Sequence, residues 1–179
     1  MSAAPDLAAP LVGFRAWRLG RDRLLSPYIP CRWEGRTMHA ECYDANRSLT
    51  RGQGWLDEPH VSPDPRCQCG IYAYHRPGLR AYYGEWAWAE GIIAAWGRVE
   101  VHHDGFRAEH ARIEALARPD RADDPAVRAT IERIAHELDV PLLARDQLAA
   151  AAPAYGGTLP ESLLPDRRKD AADGRTLEP

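Results

Sequence analysis

Between Ser26 and Cys69 the chain carries repeated proline, glycine, asparagine and aspartate and offers few apolar runs. So long an irregular stretch is uncommon in a compact domain, because ordering backbone costs entropy that apolar burial normally offsets. Something other than a hydrophobic core must therefore order it. The stretch holds Cys42, His60, Cys67 and Cys69, with Cys31 and His39 inside it and His75 just beyond. Thiolate and imidazole together suit zinc, which takes four ligands tetrahedrally and orders loop-rich segments of this kind. By ligand type zinc ranks ahead of an iron–sulfur cluster. The spacing is not that of a zinc finger, since Cys67-Gln68-Cys69 has one intervening residue and the other two ligands are far off in sequence. The competing reading is that these cysteines are small buried hydrophobes, as free cysteines often are.

The remainder of the chain has the means to fold. Hydrophobic residues make up 45% and charged residues 27% of its 179 residues, which is enough for one domain or one domain with a small appendage. The net charge of −3 gives no cationic field to draw the whole molecule onto nucleic acid or an anionic membrane. No run approaches about 18 uncharged apolar residues, and Met1 to Asp6 lack the basic start of an export signal, so the expected compartment is the cytoplasm. Four cysteines in such a setting read as thiols or ligands before a disulfide framework.

Along the chain, residues 1–10 are Ala/Pro-rich and expected to be flexible. Leu11 to Leu19 alternates, breaks at Gly20-Arg21-Asp22 and resumes at Leu24-Leu25, the pattern of a hairpin. Gly70 to Tyr74 reads as a strand and Gly78 to Ala89 as a helix. Ile92 to His103 and Phe106 to Leu116 flank Asp104-Gly105, a dipeptide suited to a two-residue turn with positive φ. Asp124 can cap a helix that starts at Pro125 and aligns Val127, Ile131, Ile134, Ala135 and Leu138 on one stripe. A second short helix spans Arg145 to Ala152. The fold class is α+β: a β-rich domain with antiparallel hairpins over 11–118, a two-helix segment over 119–159 and a disordered tail over 160–179.

Turning the central hairpin at Asp104-Gly105 sets His103 opposite Phe106, His102 opposite Arg107 and Glu100 opposite Glu109. Two facing carboxylates destabilise a sheet unless neighbours screen them, so the pair is either a solvated charge ladder with Arg98 and Arg107 or an acid and base kept for use. The other face carries Val99, Val101, Phe106 and Ala108, with His103 and His110 as packing residues. Gly70-Ile71-Tyr72 and Tyr82-Tyr83-Gly84 imitate a nuclease signature, but the gap is nine residues and no phosphate-binding arginine follows on a helix. Trp86, Trp88, Trp96, Tyr72, Tyr74, Tyr82 and Tyr83 could line a pocket, although core packing is the commoner reason for such a cluster.

Cys42, His60 with Pro63, Cys67-Gln68-Cys69-Gly70-Ile71-Tyr72-Ala73, Trp96-Gly97-Arg98-Val99 and Gly105-Phe106-Arg107-Ala108-Glu109-His110-Ala111 together resemble a largely actinobacterial protein family of uncharacterised activity. The likeness covers residues 11 to 117, with an echo at Leu159-Pro160-Glu161. It implies that Cys42, Cys67 and Cys69 are the ligands among the cysteines, since Cys31 falls outside the pattern. The resulting expectation is a non-catalytic intracellular binding or regulatory module. It would have a structural zinc on Cys42, His60, Cys67 and Cys69, with an unknown protein partner or small ligand and neither membrane nor nucleic acid as partner. The alternative is a small hydrolase or transferase using Glu100 and Glu109.

Overall fold

A computed structural model describes residues 9–27, 29, 31–42, 60–78, 87–120 and 123–166. Its framework is one antiparallel sheet, with strands β1 (Leu11–Leu19), β2 (Leu24–Leu25), β3 (Thr37–His39), β4 (Ile71–Tyr74), β5 (Trp88–Val101), β6 (Gly105–Ala117) and β7 (Leu142–Leu143). Among the described strands only β7 runs parallel to its neighbour, β6. The helices are α1 (Pro125–Glu137) and α2 (Leu148–Ala151). The α+β expectation is therefore met.

The two long strands β5 and β6 organise the rest. β5 takes β1 along its other edge, from Leu11 opposite Ala95 to Arg18 opposite Trp88. The free edge of β6 is shared by β4 at its start, β3 in its middle and β7 at its end. Because Phe14 of β1 also pairs with Tyr74 of β4, the pairings β1–β5–β6–β4 lead back to β1 and the sheet curls closed. Curling is helped by two places where a strand carries an extra residue, a device that bends and twists it. One lies between Trp96 and Val99 of β5, the other between Ala115 and Ile113 of β6. The extra residue in β6 is Glu114, only 3% exposed, and its carboxylate is held by Arg36 at 2.8 Å and Arg112 at 2.7 Å.

Alternation along β1 sends Leu11 and Trp17 into one apolar cluster and Val12 and Phe14 into another. Helix α1 covers the first through Ile131, Ile134 and Ala135, while Leu148 and Ala152 cover the second. Each face thus finds a partner, and Trp17, Phe106, Ile93 and Leu148 are fully buried. Complete burial of such a side chain contributes roughly 1.5–3 kcal/mol. The α1 start follows the sequence logic: the Asp124 side chain accepts from Ala126 N at 2.7 Å and Pro125 takes the first position. Val127 and Leu138 pack at the margin of the same cluster.

Three expectations need correction. The central hairpin turns one residue early, with His102 N donating to Gly105 O at 2.8 Å, so Val101 faces Phe106, Glu100 faces Arg107 and Val99 faces Ala108. Gly105 is already a strand residue paired with Tyr74 of β4, which leaves His103 and Asp104 to make the turn, neither of them with positive φ. Trp88 and Ala89 belong to β5 and not to a helix, because β1 pairs with them; residues 79–86 lie outside the described residues. Ordered chain also continues past Pro160, through a 3-10 turn at Glu161–Leu163 to a Pro165 carbonyl 3.0 Å from His103 Nδ1. Residues 167–179, like 1–8, lie outside the described residues.

No helix among the described residues is long and apolar enough to cross a membrane.

Candidate metal centre

The chain enters the sheet from Cys67-Gln68-Cys69, immediately before β4. Asp64 shapes the approach: its carbonyl accepts from Cys67 N at 2.9 Å and its carboxylate from Arg66 N at 2.8 Å. The Arg66 side chain hydrogen-bonds the same carboxyl and holds it below the usual carboxylate range. The Ser62–Pro63 peptide is cis. Gly70 then turns the chain into β4 with φ of +128°, a conformation that side-chain-bearing residues rarely adopt. A Cβ at that position would also lie 3.0 Å from Arg107 Cβ.

From the other direction, β3 ends at His39 and the chain reaches Cys42 three residues on. Cys42 Sγ lies 3.7 Å from Cys67 Sγ, and Cys69 Sγ lies 3.4 Å from His60 Nε2. All four ligand atoms fall within 4.8 Å of one another. Bond lengths of ~2.3 Å to sulfur in a tetrahedral shell put neighbouring sulfurs about 3.8 Å apart. The observed separations fit that edge, and the Cys3His group could hold a metal ion.

These cysteines do not serve the general core. Cys42, Cys67 and Cys69 form a cluster of their own, separate from both apolar clusters. Burial pushes the Cys69 thiol up to about 11, with neighbouring Cys67 adding to the shift against opposing hydrogen bonds from Ser62 and Asp64. Thiols in such a place become thiolates when a cation is there to compensate the charge.

Beneath the loop lies Arg107, buried and so no part of a solvated ladder. Its guanidinium is buried, donating through Nη1 to the carbonyls of Cys67 and, at 3.0 Å, Cys69, and through Nη2 to the Glu100 carboxylate. It also lies 5.8 Å from the centre of the Tyr72 ring, whose hydroxyl donates to Gln68 O at 2.6 Å. Every residue of the Cys67-Gln68-Cys69 turn is thereby fixed through its backbone oxygen. Comparisons with protein-family models, curated proteins and solved structures found no match to this chain.

The other sequence candidates are dispersed. Cys31 stays outside the group, its thiol raised by burial. His75 lies with Nε2 3.0 Å from His102 O and its ring tilted on Phe106, and burial lowers its pKa. Glu100 and Glu109 do not form the expected pair, because the shifted register gives Glu100 to Arg107. Glu109 instead accepts from Arg98 N at 3.0 Å, and that backbone bond holds its carboxyl below the usual range, with His110, His39 and Arg98 adding. A cleft of about 410 Å³ between α1, Asp22 to Leu24 and Arg32 to Gly35 borders neither glutamate. Tyr82, Tyr83 and Trp86 lie outside the described residues.

Proposed function

We propose that Cys42, His60, Cys67 and Cys69 bind one zinc ion as a closed structural site, and that the protein is a non-catalytic intracellular binding or regulatory module. The observation that carries this reading is the convergence of three sulfurs and one imidazole nitrogen within 4.8 Å, on a turn clamped from below by Arg107. Three thiolates and one imidazole are a zinc set, and four protein ligands leave no position for a water to be activated. Buried free thiols suit a reducing compartment, which supports the intracellular assignment. The net charge of −3 favours a protein or small ligand over nucleic acid or a membrane surface as partner.

Elemental analysis of native protein tests it, with one zinc per chain expected and X-ray absorption giving three sulfur neighbours at ~2.3 Å and one nitrogen at ~2.0–2.1 Å. Metal-free protein that is fully folded, with its three thiols buried apart, would return the cysteines to the role of packing residues.

A further inference from the structure

A second set of metal-binding side chains lies on the same stretch of β6, beyond the cysteine loop. Register pairs His39 of β3 with His110 of β6, so the two imidazoles project on one face. Their rings stack at 4.6 Å between centres, and Trp96 stacks on the outer side of His110 at 5.6 Å. Ordinary alternation would send Glu109, the neighbour of His110, to the opposite face. The extra residue in β5 between Trp96 and Val99 leaves Gly97 and Arg98 together opposite Glu109, and the Arg98 amide draws its carboxylate back toward His110. Gly97 has φ of +80°, and a Cβ there would lie 2.8 Å from Glu109 Oε2 and 3.0 Å from His110 Cδ2. The bare glycine makes room for the carboxylate. Arg98 N then donates to Oε2, which turns Oε1 toward both imidazoles, 3.4 Å from His110 Nε2 and 3.8 Å from His39 Nε2.

We infer that His39, Glu109 and His110 form an open, exchangeable site for a divalent transition ion such as zinc, distinct from the cysteine site. The three ligand atoms lie within 4.8 Å of one another. Two imidazoles and one carboxylate are the donor set of open zinc sites, in which water or a ligand completes the shell. The carboxylate is oriented from outside the site by a backbone amide, as outer-shell partners orient ligands in metal sites generally. Stacked imidazoles cannot both point their lone pairs at one ion, so the His39 ring has to tilt from the stack on binding. Its side chain, 54% exposed, is free to do so. The cysteine set is closed and soft; this one is exposed, harder and incomplete.

The test is titration of zinc into protein that already carries one equivalent, read by calorimetry and by the imidazole NMR signals. A second, weaker equivalent is expected, moving the His39 and His110 resonances and leaving that of His60 in place. His110→Ala and Glu109→Gln should weaken it by more than the 10–100-fold that loss of an outer-shell partner typically costs. Both should keep the first equivalent. Zinc that leaves the His39 and His110 signals of the native protein unmoved, or an equivalent that moves them and survives His39→Ala/His110→Ala unchanged in affinity, overturns the inference. The imidazole signals can be read whether or not the cysteines hold zinc. Loss of the first equivalent alone would therefore sink only the closed-site reading.

Discussion

Arg107 offers the sharpest way to ask whether the sheet holds the cysteine loop in shape for a metal. In Arg107→Met the side chain keeps most of its length but loses its donors to the Cys67 and Cys69 carbonyls and its ion pair with Glu100. Removing one partner of a buried pair costs about 3–5 kcal/mol, because the other charge stays desolvated; Glu100 would keep only His102 Nε2, 3.8 Å away. The Arg107 side chain is 5% exposed and that of Glu100 15%, so some water reaches the carboxylate and the lower end applies. Adding Glu100→Gln removes the stranded charge and should recover most of that loss. What remains is the loss of charge-assisted hydrogen bonds to the loop, about 1.5–3 kcal/mol each.

Urea unfolding of the zinc-loaded single and double variants measures the first quantity, and competition with a chromophoric chelator measures the second. If the carbonyl clamp preorganises the thiols, the two bonds together are worth about 3–6 kcal/mol and zinc affinity in the double variant should fall by about a hundredfold or more, at about 1.4 kcal/mol per factor of ten. Affinity within twofold of the native protein would mean that Arg107 supports only the sheet. Equal stability of native protein and the single variant would refute the reasoning altogether.

Three further outcomes are expected. Gly70→Ala should both destabilise the fold and weaken zinc binding, since it strains φ of +128° and presses on Arg107; chelator competition and thermal melts read the two effects. The zinc-loaded and metal-free proteins should respond to pH in opposite senses. Acid protonates the ligands and releases zinc. In metal-free protein the Cys69 thiol, raised from 9.0 to about 11, contributes stability that is full below pH 9 and lost as pH rises through 11. Urea midpoints at pH 7.5 and 10.5 test that sign. Ile131→Asp should exceed the about 2–5 kcal/mol of an Ile→Ala truncation, because Ile131 is 3% exposed under α1, and a change of less than about 1 kcal/mol by urea unfolding would contradict the docking.

Periodicity made the helix from Pro125 and the strand from Leu11 legible, because both bury a stripe whose spacing alone announces it. Ligand chemistry made Cys42, His60, Cys67 and Cys69 legible, although neither the spacing nor the loop length says that they meet. The register of the central hairpin was not legible. Asp104-Gly105 looks like a turn in isolation, and only β4, which claims Gly105 from across the sheet, moves the turn to His103-Asp104. That one-residue shift carries the rest: it joins Glu100 to Arg107 and dissolves the carboxylate pair. Arg107 gave no signal because its partners are mainly backbone oxygens, which every sequence has. His39 was grouped with the cysteines by proximity in sequence, yet pairing with β6 stacks it on His110 instead.

The extra residue between Trp96 and Val99 couples the two candidate sites in a way that neither displays alone. Arg98, which it displaces, binds Glu109 through its backbone amide, while its guanidinium reaches the Val61 and Pro63 carbonyls at 3.4 and 3.5 Å. Those carbonyls belong to the stretch between His60 and Cys67. One residue therefore touches the support of the closed site and the orienting contact of the open one. On β6, Arg107 serves the cysteine loop and Glu109 and His110 the open cluster, with buried Ala108 between them. Arg107 and Glu109, two positions apart on one strand, start from the same face, yet Arg107 is drawn to the loop carbonyls and Glu100, and Glu109 to the Arg98 amide. The bulge in β5 supplies that amide, and with it the difference between the two side chains.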